Sequence, residues 1–261
     1  MRSQHTILQR TWTVLCLPAL VFIASNLLLT YANVSTVDAL SASPVATQAT
    51  ASFSNGVEVI GLRLAGTVTV QTGDTSDTGA VTLTAKEDGS GSVSYDLPTQ
   101  GTHREDCGGA GSGRSCTWTG ADGTVQDLGT SLSAAPLLWY APNLALQTGN
   151  ADTIVTDDGV TELGGQHVRV LEVRSASFTN LLRKRKIPYS PMLLALDPGS
   201  LLPMFLKYTI HPDQDPMISI DMEVTYSNYH AENGIQVPSL IQRRLNGALD
   251  TEIRIQSVTT Q

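Results

Sequence analysis

Apolar and polar residues exchange places at every second position through most of the chain beyond its first forty residues. Ile60, Leu62, Leu64, Gly66, Val68 and Val70 alternate with Arg63, Ala65, Thr67, Thr69 and Gln71. A repeat of two sustained over that length predicts a half-buried strand. Gly73-Asp74-Thr75-Ser76-Asp77 is a turn cluster, after which Val81, Leu83 and Ala85 resume the pattern, and Asp88-Gly89-Ser90-Gly91 turns again into Val93 and Tyr95. Thr117-Trp118-Thr119 and the turn Ala121-Asp122-Gly123 extend this meander. Further on, 153–161 and 166–174 predict a hairpin around Leu163-Gly164-Gly165.

The last third repeats the pattern most regularly. Met192–Leu196 and Leu202–Ile210 flank Asp197-Pro198-Gly199, and Ile218, Ile220, Met222, Val224 and Tyr226 form one face of a further strand. Asn233-Gly234 and Asn246-Gly247 are strong hairpin signals, because both central positions of a type I′ turn need positive φ. Leu249, Thr251, Ile253 and Ile255 make the face of the last strand. The rhythm breaks at 134–147, where clustered apolar residues around Pro136, Trp139 and Tyr140 predict one or two short helical turns. Residues 176–187, ending in Arg183-Lys184-Arg185-Lys186, predict a second short helix. Residues 43–55 are small and polar and read as a flexible lead-in.

The first forty residues differ in kind. Arg2, His5 and Arg10 precede an apolar stretch from Thr11 to Tyr31, and small residues follow. A cationic start, an apolar core and small residues after it are the parts of a secretory signal. The stretch also approaches the roughly 20 residues that would span a bilayer. Residues 1–42 are therefore expected to be a signal peptide or an N-terminal anchor, and 56–261 a single β domain outside the cytoplasm. Membrane association through the N-terminal segment follows if the stretch is retained.

Composition narrows the function classes. The formal net charge is −8, which excludes the basic footprint that nucleic acid requires. Two of the three cysteines lie beyond the leader, in Cys107-Gly-Gly-Ala-Gly-Ser-Gly-Arg-Ser-Cys116. In an exported protein this spacing predicts a disulfide across a glycine-rich turn. His211-Pro212-Asp213-Gln214-Asp215 collects residue types suited to a divalent ion, but its prolines and its place between strands read as an ordinary turn. No nucleophile elbow, zinc-protease pair or nucleotide loop occurs, so no catalytic residue, metal or cofactor is expected and the chain reads as a non-enzyme.

Strands with one oily face must pack that face on something. Here the helical segments are few, so the sheet is expected to curl over itself, a short helix or a ligand. Leu196-Asp197-Pro198-Gly199-Ser200-Leu201-Leu202-Pro203, and later Val224-Thr225-Tyr226-Ser227-Asn228-Tyr229-His230-Ala231-Glu232-Asn233-Gly234-Ile235-Gln236-Val237-Pro238, resemble the outer-membrane lipoprotein carrier and sorting (LolA-like) superfamily. The closing layout is also similar to that of exported acidobacterial proteins. Asn228 and His230 stand where the family motif usually has Asp and Arg, and the family's helix before the first strand has no clear counterpart in 43–55.

The resemblance implies a mainly β (α+β) fold, an antiparallel half-open β-barrel with short helices across the concave side, and an apolar concavity that holds lipid, acyl chains or a lipidated protein. Leu62, Leu64, Trp139, Tyr140, Leu144, Met204, Leu206, Ile220, Met222 and Val224 are the expected lining. The other reading is a structural or interaction module of the cell envelope with a filled core and no ligand.

Overall fold

Two Asn-Gly pairs set the geometry of the last three strands. Asn233 and Gly234 have φ of 52° and 83°, and Asn246 and Gly247 have 48° and 82°, the left-handed conformations of a tight hairpin. They connect strands in the registers Glu232↔Ile235 and Leu245↔Ala248. Asp197 does similar work at the turn before a third hairpin strand. Its Oδ1 accepts hydrogen bonds from the Gly199 and Ser200 amides at 3.1 and 2.7 Å and from Ser200 Oγ at 2.9 Å, which hold its carboxyl below the usual range.

The computed structural model describes residues 43–86, 90–108, 116–127, 153–175, 191–210 and 218–260, all within one compact unit, Ala42–Gln261. In chain order these form helix α1 (Pro44–Ser54) and strands β1 (Gly61–Thr72), β2 (Thr75–Lys86), β3 (Gly91–Leu97), β4 (Gly101–Cys107), β5 (Cys116–Thr119) and β6 (Val125–Asp127). After the next connection come β7 (Thr153–Leu163), β8 (Gln166–Ser175), β9 (Met192–Leu196), β10 (Pro203–Ile210), β11 (Ile220–Glu232), β12 (Ile235–Leu245) and β13 (Ala248–Thr260).

All thirteen strands form one antiparallel sheet, ordered β6-β5-β4-β3-β2-β1-β13-β12-β11-β10-β9-β8-β7. Two hairpin meanders, β1–β6 and β7–β13, are joined by the pairing of β1 with β13. Among the described residues the edges β6 and β7 do not pair, so this is a half-open barrel, as the resemblance implied. The expected helices at 134–147 and 176–187 lie outside the described residues.

The alternation on most strands sends one face into the main buried cluster. Leu64, Leu83 and Val93 face inward side by side on β1, β2 and β3, and Val224, Leu206 and Leu194 do the same on β11, β10 and β9. All belong to the main core. A second, smaller cluster of Val168, Val170, Ala195 and Phe205 lies on the opposite face of β8–β10. Strand β1 bulges against β13 between Ala65 and Gly66. At this position the sheet bends so sharply that a Cβ on Gly66 would sit 2.0 Å from the Arg254 carbonyl oxygen. On β2, a Cβ on Gly79 would come 1.9 Å from the Asp96 oxygen. Glycine here permits the close strand approach that curls a sheet.

One expectation is corrected. Residues 44–54 of the supposed flexible lead-in are the helix α1. Pro44 at its first turn pre-sets φ, and Asn55 in the left-handed conformation ends it, with its amide donating to Ala51 O at 2.8 Å. Val45, Ala46, Ala49 and Phe53 form a buried stripe in the main core, with α1 resting on β12. The residues are too small to announce an amphipathic helix. Packing against the sheet, rather than propensity, stabilises it.

The expected disulfide is present, joining residues directly opposite on β4 and β5 with Cα atoms 4.1 Å apart. Replacing both cysteines by serine is expected to cost about 2–3 kcal/mol from lost loop closure. Gly79→Ala is expected to cost about 2 kcal/mol or more, because the backbone carbonyl it meets cannot swing aside. Urea denaturation of each variant against the parent measures both losses, and an unchanged midpoint for Gly79→Ala would contradict the close approach.

A candidate ligand concavity

The inner face of the curled sheet is the candidate site. Leu62 and Leu64 stand opposite Ala85 and Leu83, while Leu206, Tyr208 and Ile210 stand opposite Val224, Met222 and Ile220. The structure thus gathers Leu62, Leu64, Leu206, Met222 and Val224 in one buried cluster, with half-buried Ile220 packed against it. Met204 is not among them. Beside the shift in register between β9 and β10, it packs instead with Phe205 in the cluster on the other face. Trp139, Tyr140 and Leu144 lie outside the described residues. A groove of about 510 Å³ is lined instead mainly by the row Leu193, Lys207, Glu223 and Arg244, on the face that carries the smaller cluster.

The inner face is not purely apolar. On β4, His103, Glu105 and Cys107 alternate inward, opposite Tyr95, Val93 and Gly91 of β3. Trp118 of β5 stands opposite Glu105 and stacks on the His103 ring, with centroids 5.3 Å apart. Burial pushes the Glu105 carboxyl up to about 7, against the pull of the Arg243 charge and with a smaller upward push from Asp106. Arg243 lies on β12, five strands away along the sheet. Its field also acts on Tyr208 of β10, whose hydroxyl is held above its ordinary range chiefly by burial. Curling therefore brings β4 within electrostatic reach of β10 and β12 across the concavity.

Arg243 is itself anchored. Its Nε and Nη2 donate to Asp250 Oδ2 at 2.8 and 2.5 Å, and Nη2 donates to Thr251 Oγ1 at 3.1 Å. Among the described residues, three polar atoms of the concave face are buried without a hydrogen-bond partner, namely both ring nitrogens of His103 and the Tyr226 hydroxyl. Glu105 also approaches Cys107 and Cys116 closely, but the two sulfurs are bonded to each other, so they offer no thiolate to a metal. The turn at His211–Asp215, weighed for a divalent ion, lies outside the described residues.

A second polar group braces the rim. Ser239 Oγ and His230 Nδ1 are 2.9 Å apart, and His230 Nε2 is 3.1 Å from Glu232 Oε2. Glu232 Oε1 accepts the Val258 amide at 3.0 Å, and Asn233 Nδ2 donates to the Val258 carbonyl at 2.7 Å. The motif positions that carried the family resemblance thus tie β11 and β12 to β13.

Of the polar residues on the inner face, His103, Glu105 and Arg243 are not among those expected from sequence. The signal available was the repeat His103-x-Glu105-x-Cys107, a strand whose buried face is polar where its neighbours are apolar.

No protein-family model matches the chain, and no curated protein matches it. Solved structures do. A DUF1329 family protein from Desulfovibrio piger shares 13% identity over 83% of this chain and 92% of its own, with a TM-score of 0.56. A putative outer membrane lipoprotein-sorting protein domain from Vibrio parahaemolyticus shares 10% over 83% and 91%, at 0.55. A LolA superfamily protein from Nitrosomonas europaea shares 12% over 85% and 94%, at 0.54. At these identities the likeness establishes a LolA-like fold.

The burial of Glu105 has a measurable consequence. A carboxyl whose folded pKa lies above its unfolded value keeps its proton longer when folded, so stability is lost as pH rises from about 4.5 to about 7. Glu105→Gln cannot ionise. It is expected to exceed the parent by about 3 kcal/mol at pH 8 and to match it below about pH 4.5. Denaturation at both pH values checks this; a difference independent of pH would show that Glu105 is not desolvated.

Proposed function

We propose that this chain is an exported, non-enzymatic cell-envelope protein that binds an apolar or amphipathic ligand in the concavity of its half-open barrel. A lipid, an acyl chain or a lipidated protein fits that description. The observation that carries the reading is the unclosed sheet itself, whose strands present a largely apolar inner face while, among the described residues, β6 and β7 do not pair. An open barrel with an oily interior offers an extended ligand a concave apolar surface. The fold is shared with a putative lipoprotein-sorting domain, which supports the same ligand class.

Export rests on the N-terminal segment, and the Cys107–Cys116 bond suits an oxidising compartment. Retention of that segment would tether the domain, and removal would free it to carry cargo between membranes.

One observation favours a second reading. Leu83, Leu171, Leu194, Leu206, Ile241 and Ile253 of the inner face are almost wholly buried, as they would be in a filled core. An envelope interaction module without a ligand would look like this.

Native mass spectrometry of the purified protein, followed by organic extraction, separates the two. Co-purified lipid, together with saturable displacement of a fluorescent fatty-acid probe, is expected. If extracts are lipid-free and the probe does not bind, the ligand reading is wrong, and crosslinking in intact cells becomes the way to find a partner.

A further inference from the structure

The groove on the outer face of β9–β12 carries a charge pattern that the strands leave incomplete. By register, Leu193, Lys207, Glu223 and Arg244 stand side by side across the four strands, and Thr209 and Asp221 form the next row on the same face. Tyr208 and Met222 alternate with them into the main core, so both rows point away from it. Pro191 and Leu193 make one end of the groove apolar, and Leu193 packs against the smaller cluster that contains Phe205. At about 510 Å³ the groove has the volume of a small-molecule site.

Most charges along it cancel in pairs. Lys207 Nζ lies 3.0 Å from Glu223 Oε2 and 5.0 Å from the centre of the Phe205 ring. Beyond Leu193 the row reaches Glu172, which pairs with Arg174. Among the described residues Arg244 has no such partner. Opposite it on β11 is Glu223, already committed to Lys207, and opposite it on β13 is Leu249. Its Nη2 donates instead to a neutral amide oxygen, Gln242 Oε1, at 3.5 Å.

Asp221 is the counterpart of opposite sign. Its Oδ1 accepts the Thr209 hydroxyl at 3.1 Å. Its backbone is fixed on both sides by Asn246, whose Oδ1 accepts the Asp221 amide at 2.9 Å and whose amide donates to the Asp221 carbonyl at 2.8 Å. Among the described residues no cation forms an ion pair with its carboxylate, so a positioned negative charge and an unpaired positive one line the same groove.

That pattern selects a ligand bearing both signs. An anion would gain Arg244 but meet Asp221, and a cation would gain Asp221 but meet Arg244. A guanidinium matches the oxygens of a phosphate in a bidentate fork, and a fixed carboxylate attracts an ammonium group. Lipid head groups that join a phosphate diester to an ammonium through two carbons carry both charges within one small unit. The apolar end at Pro191 and Leu193 then meets the carbons that follow, which a free ion would leave uncovered.

We propose that this groove is a subsite for a zwitterionic lipid head group, with phosphate on Arg244, ammonium toward Asp221 and the start of the chain against Leu193 and Pro191. It lies on the face opposite the concavity and stands independently of the ligand reading given above.

Three octyl amphiphiles test it, titrated into the purified protein below their micelle-forming concentrations and followed by backbone amide NMR. Octylphosphocholine carries both charges, octyl sulfate only the negative one and octyltrimethylammonium only the positive one. The largest shifts are expected at Lys207, Asp221 and Arg244, with octylphosphocholine bound about fivefold more tightly than either single-charge probe. Arg244→Gln is expected to lower its affinity to that of octyltrimethylammonium on the parent, and Asp221→Asn to that of octyl sulfate. A single-charge probe that binds as tightly as octylphosphocholine would overturn the subsite, as would unchanged affinity in both variants. Shifts confined to inner-face residues such as Leu206 and Val224 would overturn it too, while supporting the concavity as the binding surface. No shift anywhere would count against both.

Discussion

The pairing of β1 with β13 is the constraint on which the rest of the fold depends. Every other contact between neighbouring strands is made within one of two meanders, each strand pairing with the one before or after it in sequence. Only the β1–β13 ladder, from Leu62↔Thr260 to Val70↔Thr251, joins the first strand of the domain to the last. Without it there would be two separate ribbons, each with an oily face and no partner. Its loop-closure entropy is large, and the apolar interior shared by the two meanders must offset that cost. The bulge at Ala65/Gly66 lies on this same ladder, so the strand pair that joins the halves also bends them toward each other.

The bend turns a flat two-sided sheet into a concavity with an electrostatic interior. Glu105 and Arg243 belong to opposite limbs, and each feels the other only because the sheet curls. The interior then contains a carboxyl held near neutrality, an arginine locked to Asp250, an unsatisfied imidazole and an unsatisfied tyrosine hydroxyl. A core built only for stability would replace such groups with apolar ones, since a buried polar atom without a partner is a net cost. Their concentration on one face distinguishes that face from a core built for stability alone.

Much of the strand layout was legible from side-chain alternation and turn chemistry. The strand beginning near residue 60, the hairpin around Gly164-Gly165 and the two Asn-Gly turns fall where their residues place them, because each depends on interactions within a few positions. Strand β4 was not singled out, since His103, Glu105 and Cys107 do not look like a buried face. The helix α1 was read as flexible because Val45, Ala46 and Ala49 are small; its stability comes from β12 and not from its own composition. Among the expected lining residues, Met204 faces the other cluster because a shift in register between β9 and β10 sits beside it, and no local pattern announces a shift of that kind.

By itself the sequence determined the strand faces, the tight turns, the acidic balance and the cysteine pair, all of which follow from local backbone preferences and spacing. Tertiary structure alone decided that β1 meets β13, that 44–54 is a helix, and that His103, Glu105, Tyr208 and Arg243 share one interior. The reason is physical. Periodicity says which residues point the same way from a strand, but only the curvature of the whole sheet says which strands face each other across it.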